Sequence, residues 1–142
     1  RRRCTAVTAR FDPEEIVYTD TLRKIQQDVV LLDARAAPRF RGEVEPIDPV
    51  AGHVPGARNR PFSENLGADG KFKPPAVLRE EFSKLIAPNY PRDVVHMCGS
   101  GVTACHNLLA MEHAGLAGSR LYAPSWSGWI ADPARPVERS VP

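Results

Sequence analysis

Two apolar runs of strand length, Val29-Val30-Leu31-Leu32 and Val94-Val95-His96-Met97, constrain the fold of this 142-residue chain more than any other feature. Neither alternates regularly with charged residues, so each reads as a strand covered on both faces. Each leads directly into a residue that carries chemistry, Asp33 in the first case and Cys98 in the second. Elsewhere the apolar spacing is helical. Leu78, Phe82, Leu85 and Ile86 line one side of a helix from Val77 to Ile86, which Pro88 and Pro91 end. Val102 to His113 forms the next helix, closed by Gly115 and Gly118. A last strand, Arg120-Leu121-Tyr122, precedes a terminal helix from Trp126 to Ile130 that Pro133 and Pro136 stop. Strands alternating with helices predict an α/β architecture, a central parallel sheet with helices on both faces.

The remaining segments are less patterned. Thr19 or Asp20 is expected to cap a short helix through Gln27, with Leu22 and Ile25 on its buried side. Ala34 to Phe40 reads as a short helix or turn. Pro46, Pro49, Gly52, Pro55, Gly56 and Pro61 make residues 42–61 a loop, with a short strand around Ala57 to Arg60. Glu64 to Pro75 is a second loop, turning at Asp69-Gly70. The expected organisation is a tail or linker remnant over 1–18, one folded domain over 19–135 and a C-terminal tail over 136–142. The first residue is Arg rather than Met, which suggests a chain cut from something longer.

Charge narrows the function. There are 19 basic and 17 acidic residues, and three of the basic ones are Arg1, Arg2 and Arg3, so the body is near neutral. Nucleic-acid binding needs a clustered basic face, and none is expected. No apolar stretch approaches the roughly 20 residues of a membrane span, so no membrane partner is expected. Three cysteines, Cys4, Cys98 and Cys105, cannot all pair within the chain. The expectation is free thiols in a reducing, cytoplasmic compartment.

Cys98-Gly99-Ser100-Gly101-Val102-Thr103 lies where a strand hands over to a helix. Ligands of parallel sheets bind beyond the carboxyl ends of strands, and Cys98 falls there. Gly99 and Gly101 reach backbone angles closed to other residues, which lets several N–H groups converge on one point. The helix starting near Val102 adds unpaired amides and the positive end of its dipole. Both effects favour a thiolate, and equally a persulfide anion once a second sulfur is attached. Ser100 and Thr103 place hydroxyls at the rim. Taken alone, the loop leaves an inert buried cysteine open as the alternative.

Neighbouring segments bring in a resemblance. Leu32-Asp33-Ala34-Arg35 with Arg39-Phe40, then Gly52-His53-Val54-Pro55-Gly56-Ala57, then the cysteine loop, then Tyr122 with Ser125-Trp126 follow in that order. From about Val29 to Ile130 the chain resembles the rhodanese sulfurtransferases, in particular the C-terminal, catalytic domain of the two-domain thiosulfate and 3-mercaptopyruvate enzymes. The resemblance implies a rhodanese-like three-layer fold and Cys98 as a nucleophile cycling between thiolate and persulfide. It implies that Gly99, Ser100, Gly101, Val102 and Thr103 supply the anion cradle and that Arg39 binds the donor's carboxylate. Implied partners are a small-molecule sulfur donor, a cyanide or thiol acceptor, and a missing N-terminal rhodanese domain that helps wall the site. No metal or organic cofactor is implied.

The neutral loop looks like the 3-mercaptopyruvate type, since thiosulfate-type loops usually carry Arg and Lys where Gly99 and Ser100 stand. The mercaptopyruvate enzymes carry a second arginine between Arg39 and His53. Here that stretch reads Glu43-Val44-Glu45-Pro46-Ile47-Asp48, with no arginine after Arg41.

His96, Cys98, Cys105 and His106 have zinc-binding side chains, but a strand and a helix point them in different directions. Cys105 reads as a small residue facing the sheet, with a resolving thiol as the alternative. His53 reads as structural, Asp33 and Arg35 as a network bracing the strand end, and Arg41 as a weaker donor-binding candidate than Arg39. Trp126 and Trp129 read as core, with Trp126 also a candidate pocket wall. A related phosphatase would carry a loop longer by one residue and ending in arginine, and no arginine follows Cys98 before Arg120. A module that senses or carries sulfur without turnover is the remaining rival.

Overall fold

The computed structural model describes residues 6–140, so Cys4 and the Arg1–Arg3 run lie outside the described residues. Five strands form one sheet: β1 (Ile16–Val17), β2 (Val30–Asp33), β3 (Arg58–Asn59), β4 (Val94–Met97) and β5 (Arg120–Tyr122). Their order is β1-β5-β4-β2-β3, and every pairing is parallel. The helices are α1 (Thr19–Ile25), α2 (Ala37–Arg41), α3 (Pro75–Ile86), α4 (Val102–His113) and α5 (Ser125–Trp129). The expected α/β architecture is present.

The central strands β2 and β4 are buried throughout, which explains their unbroken apolar sequence. Alternation along each strand divides the core in two. Val30, Leu32 and Val94 face Leu78, Phe82 and Ile86 of α3 and Ala110 and Met111 of α4. Leu31, Val95 and Met97 face Leu22 of α1 and Trp126 and Trp129 of α5. Burying one such large apolar side chain stabilises the fold by about 1.5–3 kcal/mol. The result is three layers, α3 and α4 on one side and α1 and α5 on the other.

Several local expectations shift. Thr19 is the first residue of α1 rather than its cap, because its hydroxyl is engaged with the Tyr122 hydroxyl at 2.9 Å. In α2 the start moves to Ala37, where Pro38 in the first turn costs no internal hydrogen bond. Gly42, at φ +81°, ends α2 in a left-handed turn.

The described parts of both stretches expected as tails include paired residues. Ile16 and Val17 pair with Leu121 and Tyr122 as an edge strand. At the other end, His53 and Glu138 exchange backbone hydrogen bonds of 2.8 and 2.9 Å, and the Trp129 indole donates to the Pro136 carbonyl at 2.9 Å.

Candidate active site

Cys98 is the first residue after β4, and α4 begins four residues later. The intervening turn is fixed by contacts from α5. The Cys98 amide donates to Ser125 Oγ at 3.1 Å, and that hydroxyl in turn donates to the Tyr122 carbonyl at 2.9 Å. The amides of Trp126 and Ser127 donate to the carbonyls of Cys98 and Gly99, each at 3.0 Å. A trans peptide points its N–H opposite to its C=O. Occupying those two carbonyls therefore turns the amides of Gly99 and Ser100 away from α5.

The Gly101 amide donates to Cys98 Sγ at 3.1 Å. Gly101 sits at φ +91°, and a Cβ there would lie 2.7 Å from the Ala123 carbonyl oxygen. Only glycine fits. Beyond it the twelve-residue α4 directs its unpaired first-turn amides and about half a positive charge toward the loop.

Although Cys98 is only 2% exposed, it is one of the residues that line a cleft of about 220 Å³. Gly99, Ser100, Val102 and Thr103 of the loop line it together with Arg39, Asp48 and Ser127. Cys98 also packs against the buried Ala34 and Ala104, so it stands between the apolar core and the cleft.

Arg39 reaches over the loop, within 3.5 Å of where a Cβ on Gly99 would stand. Its Nη2 donates to Glu45 Oε1 at 2.7 Å and to Asp48 Oδ2 at 3.4 Å. Burial pushes the Glu45 carboxyl up, but the Arg39 hydrogen bond and the amides of Asp48 and Ile47 outweigh it and hold Glu45 below its ordinary value. Asp48 also accepts from the Ser127 hydroxyl at 2.8 Å. These acidic partners of Arg39, and Ser127 itself, were not singled out in the sequence. They come from a Pro-rich loop and a helix start whose patterns carry no signal for a shared cleft.

The support behind the cleft is built from buried charge. Arg35 Nη2 donates to Asp33 Oδ2 at 2.7 Å and to the Gly52 carbonyl at 2.8 Å, and its guanidinium stacks 4.7 Å from the Trp126 ring. His53 stacks on Phe40 with ring centres 3.9 Å apart and bonds the Phe40 carbonyl through Nδ1 at 2.7 Å. Its role is to hold the end of α2, and hence Arg39. Trp126 is fully buried beneath Arg35 and is core rather than cleft wall. Arg41 pairs with Glu43 at the surface, away from the cleft.

Cys105 corrects an expectation. It faces solvent, because the inward stripe of α4 runs through Ala104, Asn107, Ala110 and Met111, and one residue along a helix turns by about 100°. Its thiol donates to the Gly101 carbonyl at 3.4 Å. His96 lies inside the sheet beside Ser119, and His106 lies beside Asn65 and between Phe62 and Phe72. Among the described residues, no three His, Cys, Asp or Glu side chains group as metal ligands would.

A parallel three-layer domain with a cleft cysteine at a strand-to-helix turn, its sulfur bonded by a backbone amide, defines a class of cysteine-loop α/β domains. The chain belongs to the rhodanese-like family, whose domain matches residues 18–132. It is 61% identical over 112 residues to a Pseudomonas aeruginosa protein named "Probable 3-mercaptopyruvate sulfurtransferase", covering 79% of this chain and 39% of that one. It is 37% identical over 134 residues to the 3-mercaptopyruvate sulfurtransferase of Escherichia coli K12, covering 92% and 47%. The chain thus spans less than half the length of these curated relatives. Its fold is also that of a solved structure of EanB, with TM-score 0.80, 22% identity, 92% of this chain and 32% of that one.

Proposed function

We propose that this domain is a sulfurtransferase working by double displacement on Cys98. The Cys98 thiolate attacks the outer sulfur of thiosulfate, the S–S bond breaks and sulfite leaves with the electron pair. With 3-mercaptopyruvate the C–S bond breaks instead, and the carbon takes a proton to give pyruvate. Either donor leaves Cys98 carrying a persulfide anion. Cyanide or a thiolate then attacks the outer sulfur and regenerates the thiolate. The observation that carries this reading is Cys98 among the residues lining the cleft, its sulfur accepting the Gly101 amide at the start of α4.

Each loop residue then has a part. The amides of Gly99 to Thr103 hold the persulfide anion, Ser100 and Thr103 orient it or pass a proton, and Arg39 anchors the donor's anionic group. No metal or organic cofactor enters. Free thiols of this kind suit a reducing, cytoplasmic setting. An N-terminal companion domain, consistent with the shorter span of this chain, would help wall the cleft. Among the described residues, no helix is long and apolar enough to cross a membrane.

A steady-state assay with both donors, run beside Cys98→Ser, tests the reading. Ping-pong turnover that disappears in the variant is expected. No turnover with either donor, and a Cys98 that never gains 32 mass units of sulfur (about one S atom per attack on the outer sulfur), would leave only a module that does not turn over.

A further inference from the structure

The two carboxylates on Arg39 are not equivalent. Glu45 is fixed: its side chain is 4% exposed, it takes the short 2.7 Å bond from Arg39, and its Oε1 also accepts the backbone amides of Ile47 and Asp48 at 3.1 Å. Asp48 is held loosely by comparison. It meets Arg39 at 3.4 Å, is 10% exposed, and lines the cleft beside Cys98. Its other contact is the Ser127 hydroxyl, whose single proton has a second acceptor, the Gly99 carbonyl, at 2.9 Å. If Asp48 swings away, Arg39 keeps Glu45 and Ser127 keeps Gly99. No buried donor is then left without a partner.

The same geometry sets the charge of the cleft. Arg39 has two carboxylates within hydrogen-bond reach, and although Arg35 shares Glu45, the two arginines face three carboxylates, Asp33, Glu45 and Asp48. The Arg39 and Asp48 side chains are 17% and 10% exposed, so water screens this balance poorly. An incoming anion meets a charge cluster that already carries one more carboxylate than guanidinium.

We propose that Asp48 is a specificity-determining residue, occupying the place on Arg39 that a donor's anionic group needs, so that reaction at Cys98 is graded by the charge of the incoming molecule. A neutral reagent reaches the sulfur unopposed. A monoanion must displace Asp48 from Arg39, and a dianion must do so against a stronger repulsion. The inference rests on the sulfurtransferase reading only in taking Cys98 as the reacting sulfur.

The test therefore does not depend on turnover. Iodoacetamide and iodoacetate alkylate thiolate by the same displacement of iodide and differ chiefly in charge. Second-order rates at residue 98, followed by peptide mass spectrometry to separate it from Cys4 and Cys105, give a ratio of the two reagents. In Asp48→Asn, which keeps an acceptor for Ser127, the iodoacetate to iodoacetamide ratio should rise about fivefold or more. Asp48→Ala should raise it similarly, and Asp48→Glu should stay within about twofold of the parent. An unchanged ratio in both charge-removing variants, with parental thermal unfolding, overturns the proposal. So does an equal rise in Asp48→Glu. In steady state, Asp48→Asn should raise kcat/KM for thiosulfate more than for 3-mercaptopyruvate. Absence of all turnover would sink the sulfurtransferase reading and leave the alkylation ratio to decide the role of Asp48.

Discussion

The Gly101 amide and the Cys98 sulfur stand 3.1 Å apart, and the glycine that makes this bond cannot be replaced without moving the loop. Its φ of +91° disfavours any side chain, and the Ala123 carbonyl already occupies the space a Cβ would need. Gly101→Ala should therefore destabilise the domain by about 1–3 kcal/mol, read as a lower urea midpoint. The same variant should slow alkylation of Cys98, because a displaced amide no longer donates to the sulfur. A variant that reacts at the parental rate would show that this hydrogen bond does not activate the thiol.

Arg39 offers the second prediction. Charge-assisted hydrogen bonds contribute about 1.5–3 kcal/mol, so Arg39→Ala should lower kcat/KM for an anionic donor by about 10- to 100-fold. Arg39→Lys should recover only part of the loss, since an ammonium cannot reproduce the planar fork. Steady-state kinetics with thiosulfate and 3-mercaptopyruvate measure both effects. Unaltered rates on both donors in Arg39→Ala would remove this residue from donor binding.

Where the sequence pattern was strong, it located elements closely. The limits of α4 and β5 are as expected, and β2 and β4 were readable because strands buried on both faces need apolar side chains throughout. β1 was not readable, since two residues carry no period and Ile16–Val17 is an edge strand specified by its partner β5. The cysteine turn was visible because glycines and a helix start are local signals. Asp48 and Ser127 were not, because the contact between them joins positions far apart in sequence through irregular backbone. The inward stripe of α4 falls on Ala104, one position before the expected Cys105. Helical spacing fixes a stripe only when its inward residues are large, and here the stripe includes Ala104 and the polar Asn107.

Asp33 and Arg35 allow a stability prediction. Their 2.7 Å pair is fully buried, and removing one partner strands the other charge in a poorly solvated place. Asp33→Ala should cost about 3–5 kcal/mol in urea unfolding. Arg41→Ala, at the exposed pair with Glu43, should leave the midpoint unchanged. Equal effects from the two substitutions would contradict the bracing role assigned to Asp33 and Arg35.

His96 connects the core to pH. It is buried in β4 with Nε2 3.2 Å from the Ser119 hydroxyl, and burial lowers its pKa from 6.5 to about 3. The folded protein therefore keeps His96 neutral at pH values where the unfolded chain protonates it. Between these two values the unfolded state binds more protons, so stability rises with pH and is lost as pH falls below 6.5. The slope from this one group approaches about 1.4 kcal/mol per pH unit. His106, also lowered by burial, adds a slope of the same sign, whereas the depressed carboxyls Glu45 and Glu81 act below 4.5. Unfolding midpoints measured from pH 7 to 5 should fall for the parent and fall less steeply for His96→Gln, with His106 supplying the residual slope. Parallel lines for the two proteins would mean that His96 takes up its proton in the folded state as readily as in the unfolded chain.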